Sequence, residues 1–282
     1  MNQFRLPSEI PLEEWPPPSA FIKEAEECVN AASAKGLHLR VMGGLAIFMH
    51  SRAFQSLWEK LGRLGKRVFT DIDFVSYGRD RVAMIEFFKE RNYFINQKML
   101  YLYGKGRQIY YGEKIPMVEI FFDKLEMNHI VNFKKRLDAD YPTIPLTELL
   151  LQKLQMVNIN EKDIKDVIIL LRAHEIGADN KDQINREAVG SHLLSDWGFH
   201  YTATTNLKKI KDALGQYSAL GDGDIKAVED RLNDLLDYLE NEPKSMKWKM
   251  RALVGTKMQW YNEVDEWDVI DSQTEDSKKE MA

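Results

Sequence analysis

The chain is poor in the residues that build disulfide, metal-thiolate and membrane proteins. Its 282 residues include one cysteine, Cys28. An internal disulfide framework is therefore excluded, and a reducing cytoplasm is the expected compartment. The histidines at 38, 50, 129, 174, 192 and 200 show no metal-ligand spacing and read as structural or surface residues. No apolar run reaches the length of a transmembrane helix, roughly 18 residues or more. The opening MNQFRLPSEIPLEEWPPPS lacks the apolar core of a signal peptide. Excess positive charge is missing too: a net charge of −5 gives no global affinity for nucleic acid.

What is present is an ordinary globular composition, 44% hydrophobic and 29% charged, which argues against a disordered chain. Prolines at 11 and 16–18 deny the first 18 residues a helix and suggest an extended arm. Ser19 is placed to cap a helix running to Gly36, with Phe21, Ala25, Cys28, Val29 and Ala32 at helical spacing. The stretch 37-LHLRVMGGLAIFMH-50 reads as strand, glycine turn and helix. A strand over 67–75, a helix near 80–91 and strands near 93–103, 107–111 and 116–122 follow, with 104-GKGRQIYYG-112 suggesting a hairpin. After Pro145 the periodicity turns helical, with helices over 147–158 and 161–177 opening after Thr147 and Asn160. Residues 183–262 continue as helices; Ile225, Val228, Leu232, Leu235 and Leu239 form one apolar stripe. The organisation expected is an arm (1–18), an α/β domain (19–145), a helical domain (146–262) and an acidic, disordered tail (263–282).

Three features in the first half carry chemistry. Gly43-Gly44 stands between a strand and a helix, where bare backbone N–H groups and the helix dipole suit a phosphate; most Gly-Gly pairs serve only as turns. In 68-VFTDIDFVSYG-78, period-2 alternation sends Asp71 and Asp73 to one face of an otherwise apolar strand. Two like charges so close repel, and a hard divalent cation with oxygen ligands relieves the repulsion. In 117-MVEIFFD-123, Glu119, Phe121 and Asp123 share a face, and Glu119 offers a further carboxylate from another strand. A local basic excess precedes the aspartates: Arg40, Arg52, Lys60, Arg63, Lys66 and Arg67 against Glu59 alone.

Together these features resemble the nucleotidyltransferase fold of the polymerase-beta-like superfamily, whose signature is a Gly-Gly or Gly-Ser turn before a D-x-D strand. The branch most resembled holds the minimal nucleotidyltransferases and the AbiEii-type toxins. RVMGGLAIFMH, the R-x-x-T-D-I-D-F run from Arg67 to Phe74, and 146-LTELLLQKLQMVNINEKDIKDVIILL-171 carry the likeness, which covers about 37–172. The chain departs from that pattern in a longer gap between Gly44 and Asp71 and in Glu119 where aspartate is commoner. The resemblance implies an α+β fold: a nucleotidyltransferase-like mixed sheet with flanking helices, followed by a C-terminal helical domain. It implies transfer of a nucleoside monophosphate from an NTP to a hydroxyl, with Asp71, Asp73 and Glu119 as catalytic ligands of two Mg²⁺ ions, ~3.5–4 Å apart in such sites. Gly43, Gly44, Arg67, Thr70 and Lys153 would contact the nucleotide, and Asp163 and Asp166 match the family's K-D-x-x-D segment. An RNA 3′ end, a protein side chain or a small molecule would be the acceptor. The toxin branch adds an antitoxin as partner; no membrane is implied. The alternative is a non-catalytic nucleotide-binding or interaction protein that keeps this fold.

Weaker candidates remain. Lys105 and Arg107 are placed to meet an acceptor or phosphate, and the Phe133-Lys134-Lys135-Arg136 run to touch nucleic acid, though solvated charges explain both. Trp248 and Trp260 interleave with Lys247, Lys249 and Lys257 as in single-strand binders, a pattern helix packing also explains. A phosphate-binding P-loop fails because Gly65-Lys66 is followed by Arg67 and residue 60 is lysine. An EF-hand at Asp222-Gly-Asp224 fails at Ala227 and Asn233.

Overall fold

The computed structural model describes residues 5–63 and 67–264, so the tail expected over 263–282 falls outside it from residue 265 onward. The arm carries two short 3₁₀ turns and is tied down by Trp15, whose indole Nε1 donates to the Phe69 carbonyl at 2.9 Å. Helix α1, Pro18–Ala34, starts one residue before the expected Ser19 cap. Pro17 takes the N-cap position and Pro18 the first turn, where a missing N–H costs nothing.

A five-stranded mixed sheet follows, in the order β1-β2-β5-β4-β3. Strand β1 (Leu39–Val41) runs antiparallel to β2 (Ile72–Ser76), β2 runs parallel to β5 (Met117–Phe122), and β4 (Arg107–Tyr111) and β3 (Phe94–Ile95) complete it antiparallel. The pleat sorts the residues. Ile72, Phe74, Val118, Ile120 and Tyr110 face one side and are buried, packed under α4 (Arg81–Glu90), whose Phe88 stacks on Tyr110 at 4.7 Å. Asp73, Glu119 and Arg107 face the other side.

Three expectations change in this region. Strand β2 begins at Ile72, so Asp71 precedes it rather than lying on it. One residue earlier the partner strand reaches its own start at Met117, behind Pro116, which has no N–H to donate. The strand expected over 93–103 is only Phe94–Ile95, and residues 97–103 form α5 (Gln97–Tyr103). Asn96 decides this: its side chain accepts from the backbone N–H groups of Lys98 and Met99 and nucleates the helix. The 104–112 stretch is one strand with glycine ends; the hairpin is β4–β5, turning at 112–116.

Helix α2, Gly43–His50, follows β1 directly. The longer gap before Asp71 is filled by a 3₁₀ turn and α3 (Gln55–Lys60). Beyond a small hairpin of β6 (Lys124–Glu126) and β7 (Ile130–Asn132), helices α6 (Leu146–Leu154) and α7 (Glu161–Ala173) both pack on α2. Pro145, not Thr147, is the N-cap of α6; Thr147 is buried and its hydroxyl accepts from the Asn185 N–H at 2.9 Å. Asn160 caps α7 as expected. Strands β8 (Glu175–Gly177) and β9 (Gln183–Asn185) form a short parallel pair. They precede α8 (Arg186–Leu193), α9 (Trp197–Ala213), α10 (Asp222–Asn241) and α11 (Met246–Val254). Val228, Leu232, Leu235 and Leu239 of the α10 stripe join the same buried core as the sheet. No helix among the described residues is long and apolar enough to cross a membrane.

Candidate functional site

The site lies where β1, β2 and β5 meet the first turn of α2. The Met42 N–H donates to the Asp73 carbonyl at 2.9 Å, which locks the start of α2 to β2. Gly43 then takes φ +70°, and a Cβ there would stand 2.2 Å from Asp73 Oδ2. Only glycine satisfies both the backbone angle and the close approach. No side chain caps the start of α2, so its positive dipole end meets the Asp73 carboxylate.

Asp73 and Glu119 are register partners on adjacent parallel strands, whose spacing is about 4.8 Å. Burial and then the neighbouring Glu119 push Asp73 up to about 7, against the weaker pull of Lys153, Arg107 and Arg63. Glu119 is buried, and Arg107, reaching over from β4, donates Nε to its Oε1 at 2.5 Å. Asp71, just outside β2, accepts from the Thr70 hydroxyl at 3.3 Å. Asp123, expected beside Glu119, instead turns out of the strand at φ 63° and accepts from the Gly78 N–H at 3.0 Å.

Behind Gly44 lies a compensated ion network. Lys153 on α6 reaches Asp163 at 2.7 Å and Asp166 at 3.0 Å on α7. Arg63 grips Asp166 with two donors, Nε and Nη2, the latter at 2.8 Å. Its guanidinium lies over the Trp58 ring at 5.5 Å and fills the space a Gly44 side chain would need, with Nη2 at 2.3 Å from the Cβ position. Burial would raise Asp166, but Arg63 and Lys153 together hold it below the usual carboxylate range. Burial would likewise lower Arg63, and Asp166, followed by Asp163 and Asp71, outweighs it.

The structure thus brings Gly43, Gly44, Asp73, Glu119 and Lys153 into one neighbourhood, with Asp71 and Thr70 at its edge. Arg67 faces away: its Nη2 donates to the Ile10 carbonyl at 2.8 Å and its guanidinium sits 4.1 Å from the Trp15 ring, holding the arm. Of the basic excess read from the sequence, only Arg63 enters the site among the described residues. Arg40 is bound to the Asp140 and Leu39 carbonyls and Arg52 to Glu26. Arg63 was legible only as one cation among six; its distinction is that the long gap after Gly44 delivers it there. Arg107, marked for an acceptor, serves Glu119.

Among the described residues no group of three or more His, Cys, Asp or Glu side chains is arranged to hold a metal ion. The Asp73–Glu119 pair nevertheless has the donor chemistry a hard cation prefers: two adjacent carboxylates, one driven toward its protonated form by burial and then by the other. Comparison with protein-family models, with curated proteins and with solved structures finds no match to this chain.

Proposed function

We propose that this chain is a Mg²⁺-dependent nucleotidyltransferase that moves a nucleoside monophosphate from an NTP to a hydroxyl and releases pyrophosphate. One observation carries the reading: Asp73 and Glu119 pair across β2 and β5 directly beside Gly43 at the start of α2. When bound, Mg²⁺ supplies positive charge to the carboxylate pair and to the triphosphate. The chain's own residues do the rest. The uncapped N–H groups of Gly43 and Gly44 receive the β- and γ-phosphates. Lys153 and Arg63, neutralised by Asp163 and Asp166, hold the start of α2 in place behind them. The acceptor oxygen attacks the α-phosphorus as the bond to pyrophosphate breaks. The carboxylate pair takes the proton that the hydroxyl loses. Arg107 fixes the Glu119 carboxylate on the sheet face.

A second reading, a non-catalytic nucleotide-binding or interaction protein, draws on the Arg107–Glu119 ion pair, which occupies the third acid. Pyrophosphate release separates the two. Wild-type chain is incubated with Mg²⁺, each NTP and a pool of RNA, protein or small-molecule hydroxyl acceptors. Release that requires an acceptor and vanishes in Asp71→Ala/Asp73→Ala supports transfer. Nucleotide binding without release in every pool favours the second reading.

A further inference from the structure

A large cavity lies away from the carboxylates, in the helical half. It measures about 480 Å³ and is walled by Trp197, Trp248, Trp260 and Tyr261 with Lys247 and Arg251. That volume falls in the band of ligand sites, roughly 300–1,000 Å³. The described C-terminal segment closes it: the Asn262 N–H donates to the Asn128 carbonyl at 2.8 Å, and Asn128 Nδ2 returns a bond to the Asn262 carbonyl at 2.9 Å.

Two further observations point to what it takes. The first is charge. Between residues 243 and 262 the chain carries Lys244, Lys247, Lys249, Arg251 and Lys257 and no acid, although its net charge is −5. Lys247, Lys249 and Lys257 form no ion pair among the described residues. Arg251 is spent on carbonyls, those of Gly255, Met258 and Gln259, so its charge is not neutralised by a carboxylate. The second is a polar chain at the cavity wall. Trp260 Nε1 donates to the Thr202 hydroxyl at 3.2 Å, and that hydroxyl lies 2.8 Å from His129 Nε2. His129 lines the cavity, and its Nδ1 has no partner among the described residues.

We propose that this cavity is a base-binding site for single-stranded nucleic acid. A nucleobase enters among the tryptophans, a polar atom on its edge meets His129 Nδ1, and the adjoining phosphate lies against Lys247 and Arg251. Aromatic walls and unpaired cations are the two components that single-strand binding combines. The wall carries Lys247 and Arg251 against one carboxylate, Asp196, whose Oδ1 is held by the Gly198 and Phe199 N–H groups. The binding claim does not depend on the transfer reaction.

The test is titration of a short fluorescent oligouridine into the full-length protein without Mg²⁺ or NTP, following tryptophan emission as well. Wild type is expected to bind with emission quenching. Trp260→Ala and Trp248→Ala are expected to weaken binding about tenfold or more. Lys247→Gln, which leaves the aromatic packing intact, is expected to weaken binding and to lower the salt slope by about 1. Uridine monophosphate matching the strand would retain the base site and assign it to a free nucleotide. No binding by wild type would overturn the site. So would equal binding by the folded lysine variant, or competition by polyglutamate as strong as by oligouridine. Asp73→Asn should bind the strand as wild type does, so loss of transfer and loss of this site are read separately.

Discussion

Asp73 and Asp166 are two aspartates of one neighbourhood in opposite states. Asp166 is fully buried and meets two cations, Arg63 and Lys153, which hold it ionised. Asp73, desolvated by burial and facing another acid, Glu119, is pushed up to about 7. The difference separates structure from function. The Asp166 cluster is balanced internally, so it fastens α6, α7 and the Arg63 loop to the start of α2. The Asp73 pair is unbalanced and gains most from a positive charge supplied from outside.

Breaking the balanced side should have the largest effect. Asp166→Asn leaves Arg63 and Lys153 buried with too little negative charge, at side-chain exposures of 9% and 11%. The expected loss is about 3–5 kcal/mol of folding stability, read by urea denaturation. Gly43→Ala comes next. Its Cβ would stand 2.2 Å from Asp73 Oδ2 at a φ of +70°, for a loss of about 1–3 kcal/mol together with Mg²⁺–NTP binding.

A pH series sharpens the contrast at Asp73 itself. Its folded-state affinity for a proton, near 7, exceeds the ordinary value of 3.8. The folded chain therefore holds this proton where the unfolded chain has lost it. The stability this contributes is full below about pH 4 and is lost as pH rises toward 7. Thermal melts should show wild type falling relative to Asp73→Asn across that window and running parallel to it above. Parallel melts throughout would mean that burial and Glu119 do not raise Asp73. The smallest effect is expected at Arg67→Ala, which removes the stack on Trp15 and costs about 0.5–1 kcal/mol. Limited proteolysis within residues 5–17 would report it.

Much of this contrast was legible in the residues. The Gly-Gly turn, the D-x-D run and Glu119 each announced a turn or a costly charge, and the α10 stripe and the Asn160 cap announced helices. What the sequence hid were long-range outcomes. Tyr101 and Tyr103 favour a strand in isolation, and the Asn96 cap overrides them. Asp71 looks like a strand residue until the pairing partner runs out at Met117. Arg63 resembles its basic neighbours along the chain, and only the packing of α3 and α7 around α2 singles it out. Arg67 reads as a phosphate ligand until the arm, distant in sequence, takes it.

The central claim is that the Asp73–Glu119 pair awaits a cation and a nucleotide. Calorimetric titration of each NTP with Mg²⁺ into wild type, Asp73→Asn and Asp71→Ala/Asp73→Ala tests it most directly. The account predicts metal-dependent binding of at least one NTP to wild type and its loss in both variants. Binding of equal strength in all three, or none to wild type, would contradict it.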